Sequence, residues 1–539
     1  MNGIAFAELG EIFAPLEHLL ASGGDTRLHI DPVNRLNGYG CRPYPRPEAF
    51  TFASSTATSI SERAYRAAEA ARAELIRTGL QHGLAAAVDA QLEALRRQLR
   101  ALLRLGDGVD IVFSPSGTDA ELNAVFVGRS LLGTPMVSIV TASDETGSGV
   151  PHASCGRHFN SLTAQGAAVA QGDPIAGLAE GVVTEAIPVR DGDGRLLAAG
   201  DIDARVIDAV AQAVAGGRRV LLHAMDHSKL GRRCPSLAAL RSIGERWGER
   251  VQIVVDACQL RLGRERLAWH LGQGHLVLIT GSKFFTGPPF SGALLVPPAL
   301  SRRMAGTAAL PAGLRDYSGP GDWPAHWLGI RAALPERVNL GQLLRWVAAV
   351  EEMRAYFAVP DGYRRRALRD FATAVQALIA GEPTFALAGE SDPALPPDSD
   401  GIDDEEFAVR TIFPFLVRRQ GLPMSLDEGR ALYRALNEDL AALLPASVTA
   451  EERQAAAQPC HIGQPVAVPG PGGQAAALRI SAGARVVSET WSAAGEGAAL
   501  ANLQGEFAQL RIIVAKVALL MRHGEVLHRP ATPGQSHAA

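Results

Sequence analysis

The middle of the chain alternates short apolar runs with longer amphipathic stretches. Asp110-Ile111-Val112-Phe113, Met136-Val137-Ser138-Ile139-Val140, Val220-Leu221-Leu222-His223, Ile253-Val254-Val255 and Leu276-Val277-Leu278-Ile279 are brief and rich in branched apolar residues, the pattern of buried strands. Between them, segments such as Ile202 to Ala215 and Ser236 to Trp247 repeat apolar positions at helical spacing. This alternation predicts an α/β fold, a mainly parallel sheet sandwiched by helices, in which ligands gather at the carboxyl ends of strands.

The flanks read differently. Residues 1–58 mix turn formers and aromatics (Asn37-Gly38-Tyr39-Gly40, Pro43-Tyr44-Pro45) and read as an irregular N-terminal arm. From Ser59 to Leu105 the chain turns Ala/Arg/Glu/Leu-rich and helical, which opens a large domain over 59–340. A helix over Asn339 to Phe357 leads out of it into a smaller C-terminal α+β domain, 341–530. That domain is predicted to hold a strand at Thr411 to Val417, a helix at Leu426 to Leu443, a strand at Leu478 to Ser481 and a helix at Leu503 to Arg522. The Pro/Asp/Ser-rich stretch 381–404 reads as an exposed connector, and 531–539 as a tail.

Composition narrows the partners. With 47% hydrophobic and 20% charged residues, a net charge of −4 and no dense basic run, nothing favours nucleic acid or a membrane surface. No apolar stretch reaches spanning length, and the N-terminus lacks a signal-peptide pattern. The five cysteines, Cys41, Cys155, Cys234, Cys258 and Cys460, are widely spaced and read as reduced thiols of a cytoplasmic enzyme.

One choice of residue type stands out. The chain has 49 arginines and only three lysines, Lys229, Lys283 and Lys516. Lys283 follows the strand Leu276 to Ile279 in the run Thr280-Gly281-Ser282-Lys283-Phe284-Phe285-Thr286-Gly287. An amine can form an imine with an aldehyde and a guanidinium cannot, so Lys283 is a Schiff-base candidate, while Lys229 and Lys516 read as chance survivors. The strand Ile253 to Val255 ends in Asp256-Ala257-Cys258-Gln259. Its carboxylate needs a partner, a turn or helix N-cap or a protonated heteroaromatic nitrogen. The strand Asp110 to Phe113 runs into Ser114-Pro115-Ser116-Gly117-Thr118-Asp119 and then a helix, which suits an anion such as phosphate and equally an ordinary capping box.

In that order along an α/β chain, Ser116-Gly117-Thr118-Asp119, His223 to Gly231, Asp256-Ala257-Cys258-Gln259, Thr280 to Lys283 with Gly292, and Leu478-Arg479-Ile480-Ser481 resemble the fold-type I pyridoxal-phosphate enzymes. Within them the resemblance is to the class V aminotransferase and cysteine desulfurase group. It implies pyridoxal 5'-phosphate as cofactor and Lys283 as its covalent carrier and proton shuttle. Asp256 would sit on the pyridinium nitrogen and Gln259 near the phenolic oxygen. Ser116, Gly117, Thr118, Thr280 and Ser282 would hold the phosphate, and Arg479 the substrate carboxylate. Ser228 stands where the family often has an asparagine that reaches the ring oxygen. For the ring-stacking position Thr146 and His152 lie in the right interval, and His152 is the choice; a core or loop histidine is the alternative. Cys460 lies two residues out of register with the desulfurase thiol. The stretch Tyr317 to Trp323 corresponds to a loop that reaches a neighbouring subunit's phosphate, so the resemblance also implies a homodimer. The activity implied is that of an aminotransferase-like enzyme on an amino-acid-type small molecule. A lyase or desulfurase, or a non-catalytic relative, are the alternatives.

Overall fold

A computed structural model of the chain describes residues 10–528 apart from 308, 389–401, 403 and 472. The tail 531–539 and most of the connector 381–404 lie outside the described residues. Thirteen strands are described, numbered here in chain order: β1 (Phe50–Phe52), β2 (Asp110–Ser114), β3 (Met136–Thr141), β4 (Val182–Ile187), β5 (Arg219–Met225), β6 (Val251–Ala257), β7 (Leu276–Thr280), β8 (Gly292–Val296), β9 (Phe385–Leu387), β10 (Ile412–Arg419), β11 (Leu422–Pro423), β12 (Cys460–Gly470) and β13 (Gly473–Ser481).

Seven of them form one sheet in the order β2-β8-β7-β6-β5-β3-β4. β4, β3, β5, β6 and β7 pair in parallel, whereas β8 is antiparallel to both its neighbours. The fold is therefore α/β with a mainly parallel sheet. The strands read as continuous apolar runs because both faces are covered. Ile111, Phe113, Val277 and Ile279 enter one hydrophobic cluster, while Val112, Leu276 and Leu278 enter the other, the two-residue alternation of a strand between two layers. The helix Gly117–Leu132 fills the second layer. Helices Glu62–His82, Leu84–Leu103 and Leu340–Phe357 pack together against the first. The register places the carboxyl ends of β2 and β7 opposite Gly292, and Met225 opposite Asp256. The loops after β2, β5, β6 and β7 thus open on one edge of the sheet.

The second sheet runs β1-β12-β13-β10-β11, with β9 on the other side of β10. Its edge comes from the N-terminal arm: Phe50, Thr51 and Phe52 pair in parallel with Cys460, His461 and Ile462. The arm is thus packed rather than irregular over this stretch, with Phe52, Ala53, Ser54 and Ser55 all buried. The expected single helical region after Ser59 is two helices, broken at Gly83, whose φ of 88° excludes helical continuation. Among the described residues, no helix is long and apolar enough to cross a membrane.

Candidate active site

Lys283 sits in the tight loop that follows β7. The loop folds back on itself through Gly287 N–H to Gly281 O (3.0 Å) and Thr286 N–H to Lys283 O (2.9 Å). Glycine is needed at 281 and 287 because a Cβ at either would lie under 3 Å from Ala349 on the helix Leu340–Phe357. The lysine is thereby held between the sheet edge and a buried helix. Its amine has no hydrogen-bond or ion-pair partner among the described residues. Burial, with Arg479 nearby, pulls its pKa down to about 8.

Asp256, at the end of β6, accepts a hydrogen bond from Cys258 N–H at 3.1 Å through one oxygen. The Cys258 side chain also hydrogen-bonds this carboxyl, and the residue is partly buried. Burial raises the carboxyl's pKa, reinforced by Glu121, which is itself 2.6 Å from His223 Nδ1. A cationic ring nitrogen beside Asp256 would reverse that rise. Cys258 packs under the loop after β2: a Cβ on Gly117 would lie 2.7 Å from Cys258 Sγ and 3.3 Å from Thr280 Cγ2. Gly117, Cys258 and Thr280 therefore meet at one place, and glycine at 117 is what allows it.

At Ser116 both readings of the loop hold together. Ser116 and Asp119 form a full capping box on the helix Gly117–Leu132, so the Ser116 hydroxyl and N–H are used internally. The N–H groups of Gly117 and Thr118, in the first turn, donate to nothing among the described residues. The hydroxyls of Thr118 and Ser282 are likewise unpartnered, whereas Thr280 Oγ1 donates to Cys258 O at 2.6 Å. Two free N–H groups at a helix start, with two free hydroxyls at the same edge, fit a phosphate. Arg27, from the arm, adds a guanidinium 3.5 Å from Ser116 Oγ; it is paired to Asp25 and lies over the ring of Phe290.

Other predicted site residues are engaged elsewhere. Ser228 Oγ donates to Glu145 at 2.5 Å and accepts from Leu230 and Arg232 N–H, which spends the hydroxyl on its own turn. Gln259 donates to Ser55 O and accepts from Arg261, tying the arm to the sheet edge. The ring of His152 faces the Gly172 turn, where a Cβ would lie 3.7 Å from its Cε1. Thr146 is buried with its hydroxyl unpaired, one residue from Glu145, whose carbonyl accepts from Lys229 N–H. Arg479 is buried without a carboxylate partner among the described residues, and burial lowers its pKa to about 10. Cys460 is fully buried at the start of β12, donating to Gln458 O, with burial raising its thiol to about 11. Tyr317 packs within its own chain, 2.7 Å from His158 Nδ1.

Two further residues belong to this cluster. Arg27 has no local signal in the sequence. Lys229 lies in the strand-end motif His223 to Gly231 and shares the rarity of Lys283, yet as a residue it reads from the sequence as a chance survivor. A concavity between the helices Leu426–Leu436 and Glu496–Arg522, lined by Met424, Glu428, Met521 and Leu527, shares no residue with the cluster.

No family model and no curated sequence matches the chain. Solved structures do match at a distance. Mouse CSAD is 14% identical over 95% of this chain and 98% of its own, with a TM-score of 0.49. Catharanthus roseus tryptophan decarboxylase in complex with L-tryptophan is 13% identical over 88% and 84%, with a TM-score of 0.46. The glutamate decarboxylase domain of a Vibrio parahaemolyticus diaminobutyrate-pyruvate transaminase and L-2,4-diaminobutyrate decarboxylase is 12% identical over 87% and 81%, also with a TM-score of 0.46.

Proposed function

We propose that the chain is a pyridoxal-5'-phosphate-dependent enzyme that acts on the amino group of a carboxylate-bearing amine, and that it transfers this group as an aminotransferase does. The observation that carries the reading is the meeting, at one sheet edge, of a partly buried amine with a pKa near 8, a strand-end carboxyl and a helix start with undonated N–H groups. When bound, the cofactor would supply an aldehyde and an electron-withdrawing ring.

The chain's own residues would do the rest. Gly117 and Thr118 N–H, the hydroxyls of Thr118 and Ser282, and Arg27 would hold the phosphate. Asp256 would keep a proton on the ring nitrogen. Lys283 would carry the cofactor covalently and, once displaced by the substrate amine, move a proton at the substrate Cα. Desulfuration through Cys460 is disfavoured, because a thiol raised to about 11 and fully buried is neither a thiolate nor accessible. Assembly as a homodimer is part of the same proposal and rests on the resemblance of Tyr317 to Trp323; sedimentation of the holoenzyme at a single mass of one chain would remove it.

The test is a screen of L-amino acids against the holoenzyme, following the visible cofactor band and the products. Keto acid formed without ammonia, carbon dioxide or sulfide supports transfer, whereas carbon dioxide release assigns decarboxylation instead. A protein that stays colourless with pyridoxal phosphate, with no borohydride-fixed adduct on Lys283, ends the reading.

A further inference from the structure

The donors of Arg479 are already spent. Nε and Nη2 donate to Gln464 O at 3.2 and 2.7 Å, and Nη2 also to Thr56 Oγ1 at 2.8 Å. Nη1 donates to Ser55 O at 3.4 Å and to Lys229 O at 3.3 Å. A guanidinium has five N–H groups, and all five point at protein acceptors. A substrate carboxylate would have to break some of these bonds to be gripped.

Lys229 is the opposite case. Its main chain is pinned at both ends, N–H to Glu145 O at 3.1 Å and carbonyl to Arg479, while its ammonium has no partner among the described residues. The third lysine shows how this chain satisfies a buried amine that has only a structural role: Lys516 Nζ donates to the carbonyls of Leu436, Glu438 and Gln458 at 3.1, 2.6 and 2.6 Å. Lys229 has no such cage. Burial, then Arg479, Lys283 and Arg27, draw its pKa down to about 7. These cations act on an ammonium that no carboxylate among the described residues pairs with, which is costly unless an anion arrives.

We propose that Lys229, rather than Arg479, receives the carboxylate of the substrate, and that Arg479 is a positioning residue that fixes the Lys229 backbone and the arm. This rests on the function proposed above and specifies its substrate contact.

Because the chain has only three lysines, holoenzyme labelled with 15N-lysine gives few side-chain amine signals. Sodium propionate, a carboxylate without an amine, is titrated at constant ionic strength against chloride. The expected result is a shift of the Lys229 signal and a rise in its pKa, with Lys516 unmoved. In Lys229→Met holoenzyme the dissociation constant for propionate should rise about 10- to 100-fold, the range for losing a charged hydrogen bond, while borohydride still fixes pyridoxal to Lys283. A Lys229 signal indifferent to propionate, an equal response to chloride, or unchanged propionate binding in Lys229→Met would overturn the assignment. Should that variant not fold, the wild-type titration decides alone. Pyridoxal fixed to Lys229 instead of Lys283 would overturn the proposed function itself, a separate outcome.

Discussion

Lysine survives in three places in this chain, and none is exposed. A guanidinium stays protonated and spreads its donors in a plane, whereas an amine can lose its proton and present a point charge. In the proposed reaction Lys283 would use the first property. Imine formation needs the neutral amine, and with a pKa near 8 the neutral fraction rises about tenfold per pH unit below that value and levels off above it. The rate at which apo-protein forms a borohydride-fixed adduct with pyridoxal phosphate should follow that curve; a rise continuing past pH 9.5 would show an ordinary lysine. Lys283→Arg should give no adduct on that residue while remaining folded by circular dichroism. At this scale the sequence made Lys283, Asp256 and Gly117 visible, because strand ends and glycine turns leave local patterns. Ser228 and Arg479 were visible as residues but not in their bonding, since their partners, Glu145 and the arm, lie more than 80 and 420 positions away. Lys229 reads from the sequence as a chance survivor because its charged neighbours Arg27 and Arg479 come from opposite ends of the chain.

At the scale of elements, the smaller sheet depends on a strand borrowed from the arm. Phe52 is 1% exposed and its ring centroid lies 5.7 Å from that of Phe371. Phe52→Ala should cost about 3–5 kcal/mol in urea denaturation. It should also weaken amino-acid binding, because Ser55 and Thr56 follow directly and hold Arg479. Lys516→Met would leave three carbonyls without a donor and should destabilise the protein by about 2–4 kcal/mol; a loss below about 0.5 kcal/mol would show that water replaces the amine. The strands with strong apolar runs were legible, and those of mixed character were not. β12 contains Pro465 and Pro469 and a register shift between Gly463 and Val466, so it lacks both a smooth alternation and an apolar run. At that irregularity the Gln464 N–H meets Thr56 and its carbonyl meets Arg479. The helix Asp361–Gly381 escaped notice because its arginines, Arg364, Arg365, Arg366 and Arg369, interrupt the apolar stripe in sequence while lying partly along its edge.

For the whole molecule, alternation of period determined the layered α/β architecture, and the candidate site lies at the strand ends where such architecture gathers ligands. What local reading could not supply was the insertion of the single antiparallel strand β8 between β2 and β7, a pairing set by tertiary closure. Nor could it show that the arm joins the far sheet. That pairing has a consequence for synthesis. Glu48 and Gln458 are bonded across 410 positions, and at bacterial or eukaryotic elongation rates such a span takes roughly 20–80 s to make. A nascent chain can therefore complete the sheet that carries Lys283 while its own first strand still waits for a partner. The unpaired β1 segment is open during that interval to the chaperones and proteases that patrol the ribosome exit, and a chain truncated before Cys460 would keep the amine yet never close the wall of cations behind it.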